Sequence, residues 1–209
     1  MLRYAITSRV QYAETEPERH ATLVAQAARL AAEGVEYIQL REKDLAVKDL
    51  IGLAREIVSV IRNSGSGSSS ETKLLINSRA DVALACGAEG VHLPSSEEQL
   101  TPRQIRRLFA AAGTTAPVVS VSCHSIEDVT RAKEGGADLI LFGPVFGKSD
   151  PSSGTDKVVV PGTGIEALKA ACEAAGATPV LALGGVTAST TAACVAAGAS
   201  GIAAIRLFR

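Results

Sequence analysis

Polar and ionisable residues collect at a few places along the chain, and at each place the residue types define a chemistry. Gln39, Arg41 and Lys43 fall in the run Gln39-Leu40-Arg41-Glu42-Lys43. Two cations at a strand end can hold a substrate anion; a solvated basic turn or a Glu42 ion pair is the plainer alternative. Asn77 can hydrogen-bond a heterocycle or cap the helix that follows. His124 stands in Ser122-Cys123-His124-Ser125. Imidazole is the side chain best suited to proton transfer near neutral pH, so His124 is the candidate acid/base, with a rim hydrogen bond or a helix cap as the alternative. Cys123 beside it superficially resembles a nucleophile–base pair, but adjacent strand residues face opposite sides, which disfavours the pairing. His92 reads as a polar residue of the interior. Gly184-Gly185 can present backbone N–H groups to a phosphate at a helix N-terminus, or simply form a tight turn with positive φ. Arg206 could add a charged contact to the same phosphate.

The elements that must position these groups alternate between short apolar runs and longer Ala-rich stretches. The strand candidates are Leu2–Thr7, Val35–Leu40, Lys73–Asn77, Gly90–Leu93, Pro117–Ser122, Asp138–Phe142, Pro179–Leu183 and Gly201–Ile205. Several are near-continuously apolar, as parallel strands covered on both faces are. Helical spacing runs through Ala21–Ala32, Leu45–Arg62, Pro102–Ala112 and Ile126–Glu134. Thr101 with Pro102, Ser125 with Asp128, and Thr163 with Glu166 are helix-start signals. Gly87, Gly136, Gly176 and Gly198 each close a helix just before a strand.

Eight strands with seven intervening helices read as a single (β/α)8 barrel over residues 1–209, with a doubly wound open sheet as the structural alternative. The GxGxxG fingerprint of that alternative is missing. In a barrel, the polar runs above all lie at the C-terminal strand ends, where barrel sites are built, while the opposite ends look small and apolar. The Gly/Ser stretch 64–71 then falls on the far face and reads as a flexible insertion. The long loop 147–162 falls on the site face and is a candidate lid.

Composition narrows the function classes. The chain has 209 residues, of which 46% are hydrophobic and 21% charged, with a net charge of −1. That excludes a disordered linker and gives no support to electrostatic nucleic-acid binding. Aromatics are 3% and tryptophan is absent, which disfavours base stacking. No apolar run reaches the roughly 18 residues of a spanning helix, so no membrane association is expected. Four scattered cysteines without a CxxC pair imply neither zinc nor disulfides and favour a cytoplasmic location. The last strand candidate leaves only Arg206–Arg209 after it. The final outer helix of the barrel therefore has no residues here, and a homodimer or compensating packing is expected to cover that flank.

Six segments also carry a family likeness. QLREK (39–43), INSRADVALACGAEGVHL (76–93), VSCHS (121–125), GGADLILFGPVF (135–146), LALGGV (181–186) and GASGIAAI (198–205) resemble the thiamine phosphate synthase / thiazole tautomerase family, in its order and over nearly the whole chain. The resemblance implies a (β/α)8 barrel. It implies one of two reactions. Synthases join hydroxymethylpyrimidine pyrophosphate to thiazole phosphate, with Mg²⁺ on the pyrophosphate. Tautomerases aromatise a carboxythiazole phosphate by proton transfer without a metal.

Gln39, Arg41, Lys43 and Asn77 match the synthase's pyrimidine- and pyrophosphate-binding positions. Three features depart from it. Ser78 stands where synthases carry a Mg²⁺-binding Asp. Glu97 stands near the second such Asp and is the residue that would hold Mg²⁺ if a site survives. Gly147–Pro151 lacks the synthase Thr-x-Thr-Lys loop. Leu93–Arg106 looks more like the tautomerase branch. The expectation is therefore a tautomerase-like isomerase of thiamine biosynthesis without a cofactor, using His124, with its thiazole phosphate bound at Gly184, Gly185 and Arg206. The alternatives are a Mg²⁺-dependent synthase and a non-catalytic barrel that binds a phosphorylated ligand or a partner protein.

Overall fold

The structure, a computed structural model, describes residues 1–12, 14–64, 72–96, 99–149 and 158–209. Ten strands occur among them: β1 (Leu2–Ile6), β2 (Tyr37–Leu40), β3 (Lys73–Asn77), β4 (Gly90–Leu93), β5 (Val118–Cys123), β6 (Leu139–Phe142), β7 (Lys148–Ser149), β8 (Val158–Val160), β9 (Val180–Leu183) and β10 (Gly201–Ala204). β7 and β8 form a separate antiparallel ribbon at the base of the loop expected as a lid. The other eight close into one parallel barrel in the order β1-β10-β9-β6-β5-β4-β3-β2. The (β/α)8 reading is thereby borne out.

Seven α-helices are described: α1 (Glu16–Ala32), α2 (Val47–Ser64), α3 (Ala80–Cys86), α4 (Pro102–Ala111), α5 (Ile126–Glu134), α6 (Ile165–Ala175) and α7 (Ala188–Ala196). α1 starts five residues before the apolar spacing does. Thr15 is its extended N-cap, and Pro17, Glu16 and Glu18 occupy its first turn. Proline and acidic residues suit that turn although none packs inward. Thr101 and Ser125 form the expected capping boxes with Gln104 and Asp128. Thr163 does not cap α6. Its hydroxyl donates to the Pro144 carbonyl, and Gly164 at φ 87° is the N-cap instead. Ser64 ends α2, its hydroxyl donating to the Val60 carbonyl, and the rest of the 64–71 stretch lies outside the described residues.

The core has two shells. Tyr4, Ile6, Leu75, Leu139, Leu141, Leu181 and Ala203 fill the barrel. Around it, the outward faces of the strands pack on the helices in two clusters, one under α1 to α4 and one under α5 to α7. The N-terminal ends of the strands, expected to be small and apolar, carry a repeated ionic stitch. Glu36, Glu89 and Asp138, just before β2, β4 and β6, each accept a hydrogen bond from a backbone N–H of the adjacent preceding strand: Arg3, Leu74 and Val119, at 2.9, 3.0 and 2.7 Å. Arg3, Arg62 and Arg106 pair with the same three carboxylates. These groups satisfy strand ends, which fits a stabilising role for that face.

Among the described residues no α-helix follows β10. A 3-10 turn at Arg206–Phe208 follows β10 and buries the Phe208 ring in the cluster of Ala5, Ile202, Ala204, Leu23, Ala27 and Leu30. Gln26 Nε2 and Arg29 Nη2 of α1 both donate to the Phe208 carbonyl at 2.8 Å. Ile202 and Ala5 are 3% and 2% exposed. The flank is thus covered by α1 and one aromatic residue, and no second copy is needed to bury it. Phe208→Ala should cost about 3 kcal/mol of unfolding free energy, the usual toll of an emptied aromatic site. Chemical denaturation will read this as a lower midpoint at unchanged slope; an unchanged midpoint would mean that the ring covers nothing that matters.

Candidate functional site

Because the strands run parallel, their C-terminal ends share one mouth. Gln39, on β2, is buried there and donates from Nε2 to Asn77 Oδ1 of neighbouring β3 at 2.9 Å. Asn77 in turn donates from Nδ2 to Ser78 Oγ at 3.1 Å. Asn77 thus serves the mouth rather than capping a helix. Gln39 Oε1 is buried without a hydrogen-bond partner among the described residues. Leaving such an acceptor unpaired costs about 1–3 kcal/mol, so an N–H or O–H donor completes this pair well. Ser78 adopts φ 61°, a left-handed conformation unusual for a residue with a side chain, and its N–H donates to the His92 carbonyl at 2.8 Å.

The 39–43 run is not a plain basic turn. Its Glu42 is buried and meets Thr7 and Arg9 of the loop after β1. Thr7 donates to Glu42 Oε1 at 2.6 Å, the Arg9 N–H reaches both oxygens at 3.1 Å, and Arg9 Nη1 lies 3.2 Å from Oε2. Arg9 also binds Asp44 in a two-pronged contact and Glu16 at 2.9 Å. These partners hold the Arg9 guanidinium firmly charged, with the Asp44 contact the largest cause, and the same contact pulls the Asp44 carboxyl down. Thr7 Oγ1 meanwhile accepts the Arg41 N–H at 2.9 Å. The loop after β1 is therefore bolted to the loop after β2, and that bolt sets the backbone of Arg41. Arg41 is half-buried and Lys43 exposed at this rim. The spacing gave no sign of Arg9 or Thr7, because their partner lies 35 residues away for Thr7.

Inside the barrel, His92 is wholly enclosed. Nδ1 lies 2.9 Å from Ser120 Oγ, Nε2 lies 2.9 Å from Ser122 Oγ, and Tyr4 Oη lies 2.9 Å from Ser120 Oγ. Burial, with a smaller push from the Arg41 cation, drives the imidazole pKa down to about 3. His92 is thus an interior neutral histidine. His124 is exposed on the rim. Its Nδ1 contacts the Gly143 carbonyl, which can only accept, so Nδ1 carries a hydrogen. Cys123, next to it, is buried on the opposite side with its thiol pushed up to about 12 by burial, which ends the nucleophile–base reading.

Gly184 and Gly185, after β9, have φ 89° and 67°. A Cβ on Gly184 would come 2.6 Å from Pro144, and one on Gly185 would come 2.8 Å from Phe146. The loop after β6 is zipped onto this turn, with Val145 and Phe146 N–H donating to the Leu183 and Gly184 carbonyls at 2.8 and 3.0 Å. The turn demands glycine for its own geometry. These hydrogen bonds use the Gly184 carbonyl and leave the Gly184 and Gly185 N–H groups out. α7 begins directly beyond, capped by Thr187. Arg206 is exposed just past β10. A shallow groove between α3 and α4, lined by Ala88, Phe109 and Thr114 among others, lies at the other end of the barrel and contains none of these residues.

The resemblance to synthases implies Mg²⁺. Among the described residues no group of three or more His, Cys, Asp and Glu side chains could hold a metal ion. Ser78 offers a neutral hydroxyl that already accepts from Asn77, Asp81 is engaged by Arg79, and Glu42 is committed to Arg9. Hard dications want anionic oxygens, so this described donor set does not fit one. Glu97 lies outside the described residues.

Two stability consequences follow from these contacts. Arg9→Ala strands the buried Glu42 charge and should cost about 3 kcal/mol or more, measured by denaturant unfolding; a loss under about 1 kcal/mol would show the bolt to be idle. His92 is neutral in the fold but takes a proton in the unfolded chain below about pH 6.5. The unfolded state then binds more protons, so this contribution is complete above that pH and is lost progressively as pH falls toward about 3. From pH 6.5 to 5 the unfolding free energy should fall with a slope about one proton steeper than in His92→Gln. Equal slopes in the two proteins would contradict a buried neutral imidazole.

The comparisons with known proteins match this chain to one family. The family model for thiamine monophosphate synthase matches residues 4–208. "Putative thiamine-phosphate synthase 2" of Aquifex aeolicus is 34% identical over 205 residues, covering 98% of this chain and 96% of that protein. The thiamine-phosphate synthase of Methanoculleus marisnigri is 36% identical, covering 85% and 76%. A solved thiamine phosphate pyrophosphorylase from Pyrococcus furiosus superposes with a TM-score of 0.75 at 23% identity over 98% of this chain and 85% of that one, a likeness of fold. These findings overturn the tautomerase expectation. The loop departures at Ser78 and 147–151 had outweighed the strand-end set Gln39, Arg41, Lys43 and Asn77, yet it is that set which the barrel gathers at its mouth. The chain belongs to the thiamine monophosphate synthase family.

Proposed function

We propose that this barrel couples hydroxymethylpyrimidine pyrophosphate to thiazole phosphate, giving thiamine phosphate and pyrophosphate. The observation that carries the reading is the buried Gln39 Oε1 beside Asn77, partnerless among the described residues. The amino group of an aminopyrimidine supplies the missing donor, and Gln39 held by Asn77 presents its carbonyl in one orientation. Arg41 and Lys43, at the rim of the same strand, bind the pyrophosphate and favour its departure as negative charge gathers on it. The methylene–oxygen bond breaks with its electron pair leaving on pyrophosphate. The thiazole nitrogen then donates its lone pair to the methylene carbon. Gly184, Gly185 and Arg206 hold the thiazole phosphate across the mouth. His124, anchored through Nδ1 to the Gly143 carbonyl, offers its Nε2 to the ligands at this rim. The central part of the loop expected as a lid, residues 150–157, lies outside the described residues.

The test is turnover by the purified protein with both substrates and Mg²⁺ in the buffer, followed as thiamine phosphate formed. Gln39→Leu should lower kcat/KM by about a hundredfold, since it removes a buried contact to a polar group. Arg41→Ala should lower it by a similar or larger factor. Binding of thiazole phosphate without turnover would instead support a non-catalytic barrel, and neither turnover nor binding would overturn the proposal.

A further inference from the structure

The polar file through the barrel has a direction. Tyr4 Oη and Ser120 Oγ are buried with no exposure, and His92 sits between Ser120 and Ser122. Burial pushes the Tyr4 phenol upward, so it keeps its proton and needs an acceptor. Two acceptors are in reach: Ser120 Oγ at 2.9 Å and His92 Nδ1 at 3.5 Å. If Tyr4 donates to Ser120, the enclosed Ser120 proton must go to His92 Nδ1. If Tyr4 donates to Nδ1, that nitrogen is bare already. Both arrangements put the single imidazole hydrogen on Nε2. The reverse arrangement, Nδ1–H donating to Ser120, removes Nδ1 as an acceptor and leaves either the Tyr4 or the Ser120 hydrogen without a partner in this file, a penalty that buried donors avoid. Nε2–H then donates to Ser122 Oγ at 2.9 Å, and the Ser122 hydrogen is the one left at the open end of the file. Ser122 is half-buried near the C-terminal end of β5, on the same side of the strand as Ser120, so this end is the mouth.

We infer that Tyr4, Ser120 and His92 are positioning residues that fix the Ser122 hydroxyl as a hydrogen-bond donor toward an anionic phosphate oxygen of the ligand. The ligand class rests on the function proposed above; the polarity of the file does not. Ser122 touches the ligand. The other three act through it, by occupying its lone pair and turning its hydrogen outward.

Nitrogen NMR of the ¹⁵N-histidine-labelled protein reads the tautomer directly. His92 protonated at Nε2 is the expected result, and protonation at Nδ1 overturns the inference whatever the protein binds. Affinity for inorganic pyrophosphate, measured by calorimetry, reads the consequence. Ser122→Ala should weaken it about tenfold, as for one lost hydrogen bond to a charged group, while Ser122→Thr keeps it. His92→Phe should weaken it several-fold in the unsubstituted background and add nothing in Ser122→Ala, because a residue acting only through Ser122 has nothing left to orient. Additive losses would mean that His92 supports the fold alone. Unchanged affinity in Ser122→Ala sinks the donor role while leaving the synthase reading intact; that reading fails separately, if the unsubstituted protein makes no thiamine phosphate.

Discussion

Everything at the mouth depends on one pairing, the closure of the sheet between β1 and β10, where Leu2 to Ala5 run in register with Gly201 to Ala204. Without it the sheet is open, and the ends of β2 and β9 lie on distant edges. With it, Gln39 of β2 and Asn77 of β3 share a single opening with the glycine turn after β9. The closure is tight: a Cβ on Gly201 would come 2.0 Å from the Leu2 carbonyl. It also falls at the seam where β10 is followed by the 3-10 turn Arg206–Phe208. Phe208, pinned through its carbonyl to Gln26 and Arg29, shields the outward side of that seam. A short aromatic turn suffices because the outward residues there, Ala5 and Ala204, are small.

Polar groups are distributed along the barrel axis by the partners available at each level. At the N-terminal face, carboxylates meet strand N–H groups and arginines. In the middle, where water is excluded, Tyr4, Ser120 and His92 satisfy one another. At the mouth satisfaction is incomplete, and Gln39 Oε1 has no partner among the described residues. A folded chain tolerates an orphaned buried acceptor where a ligand completes it, so the gradient itself distinguishes the face that binds from the face that stabilises.

The periodicity of the chain made the barrel legible because parallel strands and their covering helices leave strong, separate patterns. Strand ends were within a residue or two, and the glycine closures at Gly87, Gly136, Gly176 and Gly198 all have positive φ. What stayed hidden had no local signal. The Glu42–Arg9–Thr7 bolt joins residues 33 and 35 apart, and only barrel closure makes them neighbours. The direction of the His92 file was equally out of reach, since it follows from which partners each enclosed group lacks. The clearest local misreading was Thr163, whose spacing to Glu166 fits a capping box but whose hydroxyl is taken by the Pro144 carbonyl as the loop after β6 folds back.

The choice between the two reactions was harder to read for a related reason. Loop residues carry the visible differences, and strand-end residues carry the shared ones, so a count of departures favours the wrong branch. The turn at Ser78 shows why such departures weigh less than they look. Its left-handed backbone is held by the Ser78 N–H on the His92 carbonyl, a bond that does not involve the side chain. Replacing a carboxylate by a hydroxyl there changes the charge at the mouth but leaves Asn77 where it was, still locked to Gln39. The strand-end contact between Gln39 and Asn77 and the charge at the rim are therefore separable in this barrel. The first is built into paired strands and survives loop change, whereas the second rests on rim side chains that each substitution can redraw.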